Sequence, residues 1–121
     1  MNITEAIRNA DLEGLANTLS THPELVNQPL DRGFTPLVLA TYLNQKAVAE
    51  ILLKHGADVN AQDPMMGMTA LMGVAFKGSK DLVALLLEHG ADPAIRSKQG
   101  ETALDFARKG GFTEIVTLLS Q

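Results

Sequence analysis

Cysteine is absent from the 121-residue chain, which removes disulfides, thiolate nucleophiles and cysteine-ligated zinc together. Aromatic residues are few: Phe34, Tyr42, Phe76, Phe106 and Phe112 are all there are. No apolar run approaches the roughly 20 residues that a membrane-spanning helix needs. The start, Met1-Asn2-Ile3-Thr4-Glu5, lacks a basic region followed by an apolar one, so no secretory leader is legible. A basic excess is missing as well. The net charge is −4, with seven acids against four bases over residues 1–62 and seven against six over residues 63–121. The one basic cluster, Arg96, Lys98, Arg108 and Lys109, is interleaved with Glu101 and Asp105. Binding a phosphate backbone requires a basic face that releases counterions, and this balance argues against nucleic acid as a partner. These absences fit a cytoplasmic protein that neither enters nor crosses a membrane.

What is present is repetition. Ile51-Leu52-Leu53-Lys54-His55-Gly56-Ala57-Asp58 returns as Leu85-Leu86-Leu87-Glu88-His89-Gly90-Ala91-Asp92, 34 positions later. Thr35-Pro36-Leu37, Thr69-Ala70-Leu71 and Thr102-Ala103-Leu104 form a second echo, at offsets of 34 and 33. A fixed period in the low thirties describes an array of one small unit. In the unit from Thr35 to Ala61, the threonine hydroxyl caps free N–H groups and Pro36 suits the first helical position. The spacing predicts a short helix near residues 36–43, broken at Asn44-Gln45. A second helix follows over roughly 46–54, with Val48, Ile51 and Leu52 on one face. Gly56 stands where a helix ends in a left-handed residue. Two such helices bury their faces only by stacking on neighbours. Ala40, Ala75 and Ala107 fall where helices must approach closely.

The pattern resembles the ankyrin repeat: a turn, Thr-Pro-Leu, two helices, then Leu-Leu-Gly-Ala-Asp-Val-Asn-Ala. The second and third units match most fully. The fourth, from Gly100-Glu101-Thr102 to Leu118-Leu119, stops before its Gly-Ala-Asp segment, and the first begins late, with Ala6 and Ala10-Asp11-Leu12-Glu13. The resemblance implies an all-α ankyrin-repeat solenoid of four stacked helix pairs with β-hairpin-like turns. It would be a single domain over 1–121, its repeats at about 1–30, 31–62, 63–97 and 98–121. Polar residues at the ends, among them Asn9, Asn17, Thr117 and Gln121, suit terminal repeats that expose a face, so the array reads as complete. There are departures. Val38, Met72 and Asp105 replace the histidine that usually follows Thr-Pro-Leu, so its inter-repeat hydrogen bonds are expected to be missing. Leu30 and Ser97 stand where a turn aspartate is usual. The turn entering the third unit has one residue more than its neighbours: Asn60 to Thr69 is nine positions, Asn27 to Thr35 eight.

Catalytic chemistry is hard to assemble. His55 and His89 recur, but at helix ends favoured by the dipole, and stacked repeats would hold them about 10 Å apart, too far to share one metal. Asp58 and Asp92 read as turn and helix-end residues. There is no Gly-x-Ser-x-Gly, phosphate-binding loop or dinucleotide fingerprint. No metal or cofactor is expected, and a small-molecule or metal-dependent enzyme is the outlying alternative.

In the resembled family, partners bind turn tips and exposed positions of each first helix. By register these are Asp31, Arg32, Phe34, Tyr42 and Leu43 in the second unit, and Pro64, Met65, Met66, Met68, Phe76 and Lys77 in the third. In the fourth they are Lys98, Gln99, Glu101 and Lys109. Three of five aromatics and three of five methionines fall on these positions. Phe106 is expected in the core and Phe112 in packing. Exposed aromatics with adaptable methionines mark an interaction surface. The expected site is therefore Phe34, Tyr42, Met65, Met66, Met68 and Phe76, rimmed by Arg32, Lys77, Lys98 and Glu101. A non-enzymatic, monomeric, stand-alone regulatory or inhibitory partner of another protein is the expectation. A scaffold or a self-associating structural protein is the alternative.

Overall fold

The computed structural model describes residues 2–121. Among them are eight α-helices and no strand, in consecutive pairs, the all-α architecture the repeat implied. The pairs are α1 (Ile3–Arg8) with α2 (Leu12–Thr21), α3 (Pro36–Tyr42) with α4 (Lys46–Lys54), α5 (Ala70–Lys77) with α6 (Lys80–Glu88), and α7 (Ala103–Gly110) with α8 (Thr113–Leu119). The chain divides into two compact units, one ending at Asp58 and the other spanning Val59–Gln121, each holding two pairs.

The first helix of every pair starts by the same device. Thr35, Thr69 and Thr102 are extended, and each hydroxyl accepts the N–H three residues on, at 3.2, 3.3 and 3.3 Å. Asn2 does this for α1 at 2.8 Å. The exits match too. Asn44, Gly78 and Gly111 follow α3, α5 and α7 in the left-handed region, at φ of 58°, 81° and 74°. In the first pair that place is held by Ala10, at φ of 52°.

Within the first unit α1 packs on α3 and α2 on α4; within the second α5 packs on α7 and α6 on α8. Ile7, Leu15, Leu19, Leu37, Val48 and Leu52 fill the first core, and Leu71, Val74, Leu82, Leu86 and Ile115 the second. Each large apolar side chain so buried is worth roughly 1.5–3 kcal/mol over leaving it in water. Ala40, Ala75 and Ala107 are fully buried, as close helix approach demands.

Two asparagines each lace one turn to the turn a repeat later, and Ala94 holds the matching place in the following repeat. The Asn27 amide donates to the Gly56 carbonyl at 3.1 Å, while its oxygen accepts the Asp58 N–H at 2.7 Å. Asn60 repeats this with the Gly90 carbonyl and the Asp92 N–H, at 3.3 and 2.8 Å. Phe112 packs as expected, its ring seated between Gly78 and Gly110, where a Cβ would come within 2.5 and 2.4 Å of ring carbons. Phe106 departs from expectation: it is half-buried rather than core. It stands four residues after the capping threonine, where Leu39 and Gly73 stand in α3 and α5. All three are only partly covered, because this position lies at the margin of the helix contact.

Candidate functional site

Each first helix from α3 onward is entered through a tight turn closed by one backbone bond: Leu30 N–H to Phe34 C=O at 2.7 Å, Asp63 to Met68 at 3.0 Å, and Ser97 to Glu101 at 2.8 Å. The turn from Asp63 to Met68 carries the extra residue, and Asp63 organises it. Its Oδ1 accepts the N–H groups of Met65 and Met66 at 2.9 and 2.7 Å, and its Oδ2 accepts that of Met68 at 3.0 Å. With three N–H groups satisfied by one buried carboxylate and that of Gly67 by the Asp63 carbonyl, the turn leaves the side chains of Met65 and Met66 outside, 63% and 49% exposed. Met68 differs from expectation: it lies at the base of the turn and is half-buried. In the fourth turn the Ser97 hydroxyl stands in for the aspartate, accepting the N–H groups of Gln99 and Glu101 at 3.3 Å each.

The third and fourth tips are joined. The Lys98 N–H donates to the Met66 carbonyl at 3.0 Å, and the Lys98 ammonium donates to the Pro64 carbonyl. Gln62 spans the same gap, donating to the carbonyls of Gly67 and Arg96 at 2.9 Å each. Lys98, expected at the polar rim, also ties the two tips together. Along the helices, Phe76 is 53% exposed and meets Phe106 edge-on, with centroids 6.2 Å apart and rings at 83°. Lys109 sits over the Phe106 ring at 5.5 Å and pairs with Glu101. Lys77 is exposed beside Phe76.

In the first unit, Arg32, Phe34 and Tyr42 line one concavity of about 580 Å³. Thr4 and Arg8 from α1, Leu30 and Asp31 from the turn, and Val38 and Leu39 from α3 complete its walls. The expected residues thus fall into two groups. Arg32, Phe34 and Tyr42 meet in the first unit; Met65, Met66, Met68, Phe76, Lys77, Lys98 and Glu101 lie on the tips and first-helix surface of the second. Sequence reasoning missed Arg8, Asp63 and Gln62. Counting back 34 positions from Tyr42 gives Arg8, so register alone points to it.

Nearby electrostatics are local. The Thr102 backbone N–H at 3.0 Å, and after it the Thr102 hydroxyl, hold the Asp105 carboxyl below its ordinary value. The bonds expected to be lost with the histidine are thus replaced at Asp105 by a capping box within its own repeat. On the second helices, Lys80 and Glu114 pair at 2.6 Å, which raises the lysine pKa and lowers that of the glutamate. His55 and His89 cap α4 and α6, and the His89 ring lies 3.0 Å from the Leu85 carbonyl. Among the described residues no group of three or more His, Cys, Asp or Glu could hold a metal, and no helix is long and apolar enough to cross a membrane.

Comparison with known proteins gives a consistent result. Residues 32–64 match the family model described as ankyrin repeat, and residues 70–119 match that described as ankyrin repeats in many copies. The chain is 35% identical over 120 residues to ankyrin repeat and SAM domain-containing protein 6 of Rattus norvegicus, covering 98% of this chain and 14% of the relative. The Mus musculus protein of the same name is 34% identical over 117 residues, 95% of this chain and 13% of the relative. The chain thus spans about a seventh of the length of these relatives.

Proposed function

This chain belongs to the ankyrin repeat family, and from that premise we propose that it is a non-enzymatic module that regulates or inhibits another protein by docking on it through turn tips and first helices. Ankyrin repeats are in general protein–protein interaction modules built on a non-enzymatic fold, so the class of function follows from the family. The observation that carries the reading further is where apolar side chains meet water. Among the described residues five large hydrophobic side chains are exposed, and four of them, Tyr42, Met65, Met66 and Phe76, are on expected partner-binding positions. A folded protein leaves such groups outside where a partner covers them. Aromatics then act as anchors, and methionines adapt to the partner's shape.

The module is read as a single domain and a cytoplasmic monomer, with neither nucleic acid nor membrane as its target. Affinity capture from the native lysate, comparing wild type with a folded Phe34→Ser/Met66→Ser variant, tests the site. A protein held by the wild type and lost by the variant is the expected result; equal capture by both overturns the placement. Self-association, the competing reading of the same exposed groups, predicts a dimer in light scattering that the double substitution dissolves.

A further inference from the structure

We propose that the concavity of the first unit binds an acidic segment of a protein partner, taking one apolar anchor side chain inside and the flanking carboxylates at its edge. The proposal rests on the partner-binding reading of turn tips and first helices, and names the chemistry of what docks there. Val38, Phe34 and Tyr42 give the concavity apolar walls, and its volume of about 580 Å³ lies within the range of sites that enclose a ligand group. Charge decides what surrounds that anchor. Arg8 from α1 and Arg32 from the turn both line the concavity, against the single carboxylate of Asp31.

Among the described residues neither guanidinium has an ion-pair or hydrogen-bonded side-chain partner. Two cations of the second unit's face are committed otherwise, Lys98 to the Pro64 carbonyl and Lys109 to Glu101. The positive excess is also local, because the chain up to Asp58 carries seven acids and only four bases. Guanidinium groups beside apolar walls favour carboxylates, whose geometry their planar fork matches in bidentate fashion.

The backbone at Arg32 is a second, independent sign. Its φ is +64°, in the left-handed region that arginine rarely adopts. The matching residue of the fourth turn, Gln99, is outside that region. An arginine held in an unfavourable backbone conformation beside a concavity that it lines points to use of its side chain.

The test uses the full chain, isotope-labelled for amide NMR, and three acetylated tetrapeptide amides. Asp-Phe-Asp-Asp is the probe, and Lys-Phe-Lys-Lys and Asp-Ala-Asp-Asp are the controls. The expected result is saturable shifts at Val38, Leu39 and Tyr42 with the probe, at least tenfold weaker binding of either control, and a similar loss in Arg8→Glu. Arg32→Gly should weaken binding while leaving the melting temperature unchanged or higher, which separates the side chain's role from any role in folding. Equal binding of the lysine peptide, shifts confined to Met65–Phe76, no shift at all, or full affinity in Arg8→Glu each overturn the proposal. The capture experiment reads protein binding separately, so a partner lost by Phe34→Ser/Met66→Ser would leave the broader reading standing.

Discussion

Ala10 holds a conformation that three equivalent positions give to Asn44, Gly78 and Gly111. Its left-handed φ of 52° brings the methyl group toward a carbonyl oxygen, a contact glycine avoids and asparagine tolerates. Left-handed backbone costs an L-residue roughly 1–2 kcal/mol, and glycine's greater freedom when unfolded returns part of that. Ala10→Gly should therefore raise stability by about 0.5–1 kcal/mol, read as a higher urea midpoint with unchanged slope. Ala10 is exposed, so no core contact is lost in the exchange. A lower midpoint would mean that the alanine's effect on the unfolded chain outweighs its strain.

At the scale of the helix, each unit depends on the leucines buried in its own core. Leu52 in α4 and Leu86 in α6 are fully buried, and replacing either with alanine should cost about 2–5 kcal/mol in chemical denaturation. A smaller loss at both would show that the cores collapse around the gap. These elements were legible because their determinants are short-range. The Thr-Pro-Leu start and the left-handed stop bracket α3, expected over 36–43 and found at Pro36–Tyr42, and α4 falls on the expected 46–54. The turn tips were less legible. Whether Met68 lies outside or at the base depends on the route of the chain around Asp63, and three bonds to one carboxylate set that route. The tie made by Lys98 was not legible, because its acceptor is a backbone carbonyl 34 residues away, which no side-chain pattern announces. Arg8 escapes a count that starts from Thr-Pro-Leu, because the first repeat lacks that motif, and only the 34-residue offset from Tyr42 reaches it.

For the whole molecule, reading the chain as one domain predicts a single cooperative unfolding transition, with fluorescence at Tyr42 and helical circular dichroism changing together. Two separated transitions would mean that the units on either side of Asp58 and Val59 melt independently. Stability should also depend on pH in a determined sense. The folded pKa values of Asp105 and Glu114 lie below their ordinary 3.8 and 4.5, so both contributions are present above those values and are lost as pH falls through the folded pKa. Lys80 is shifted above its ordinary 10.5, so its contribution is present below that value and is lost as pH rises through the folded pKa. These groups predict a plateau from about pH 4.5 to 10.5, with declines on both sides. Glu114→Gln should flatten the alkaline decline and reduce the acid one, with the denaturation midpoint followed against pH. The effects should be small, because the pair is well exposed to solvent.

The asparagine lacing has a consequence for how such a chain can change length. Asn27 reaches Asp58 across 31 positions and Asn60 reaches Asp92 across 32, yet both make the same pair of bonds. With each span pinned at both ends and its first helix capped by Thr35 or Thr69, the surplus residue of the second span sits in the tip between Asp63 and Met68. Insertions there leave the helices in register and lengthen only the part that faces outward. Deletions within a helix would break a lace at the end of the span. The tips are therefore where this array can lengthen without refolding, and where a lineage could acquire new partners one residue at a time.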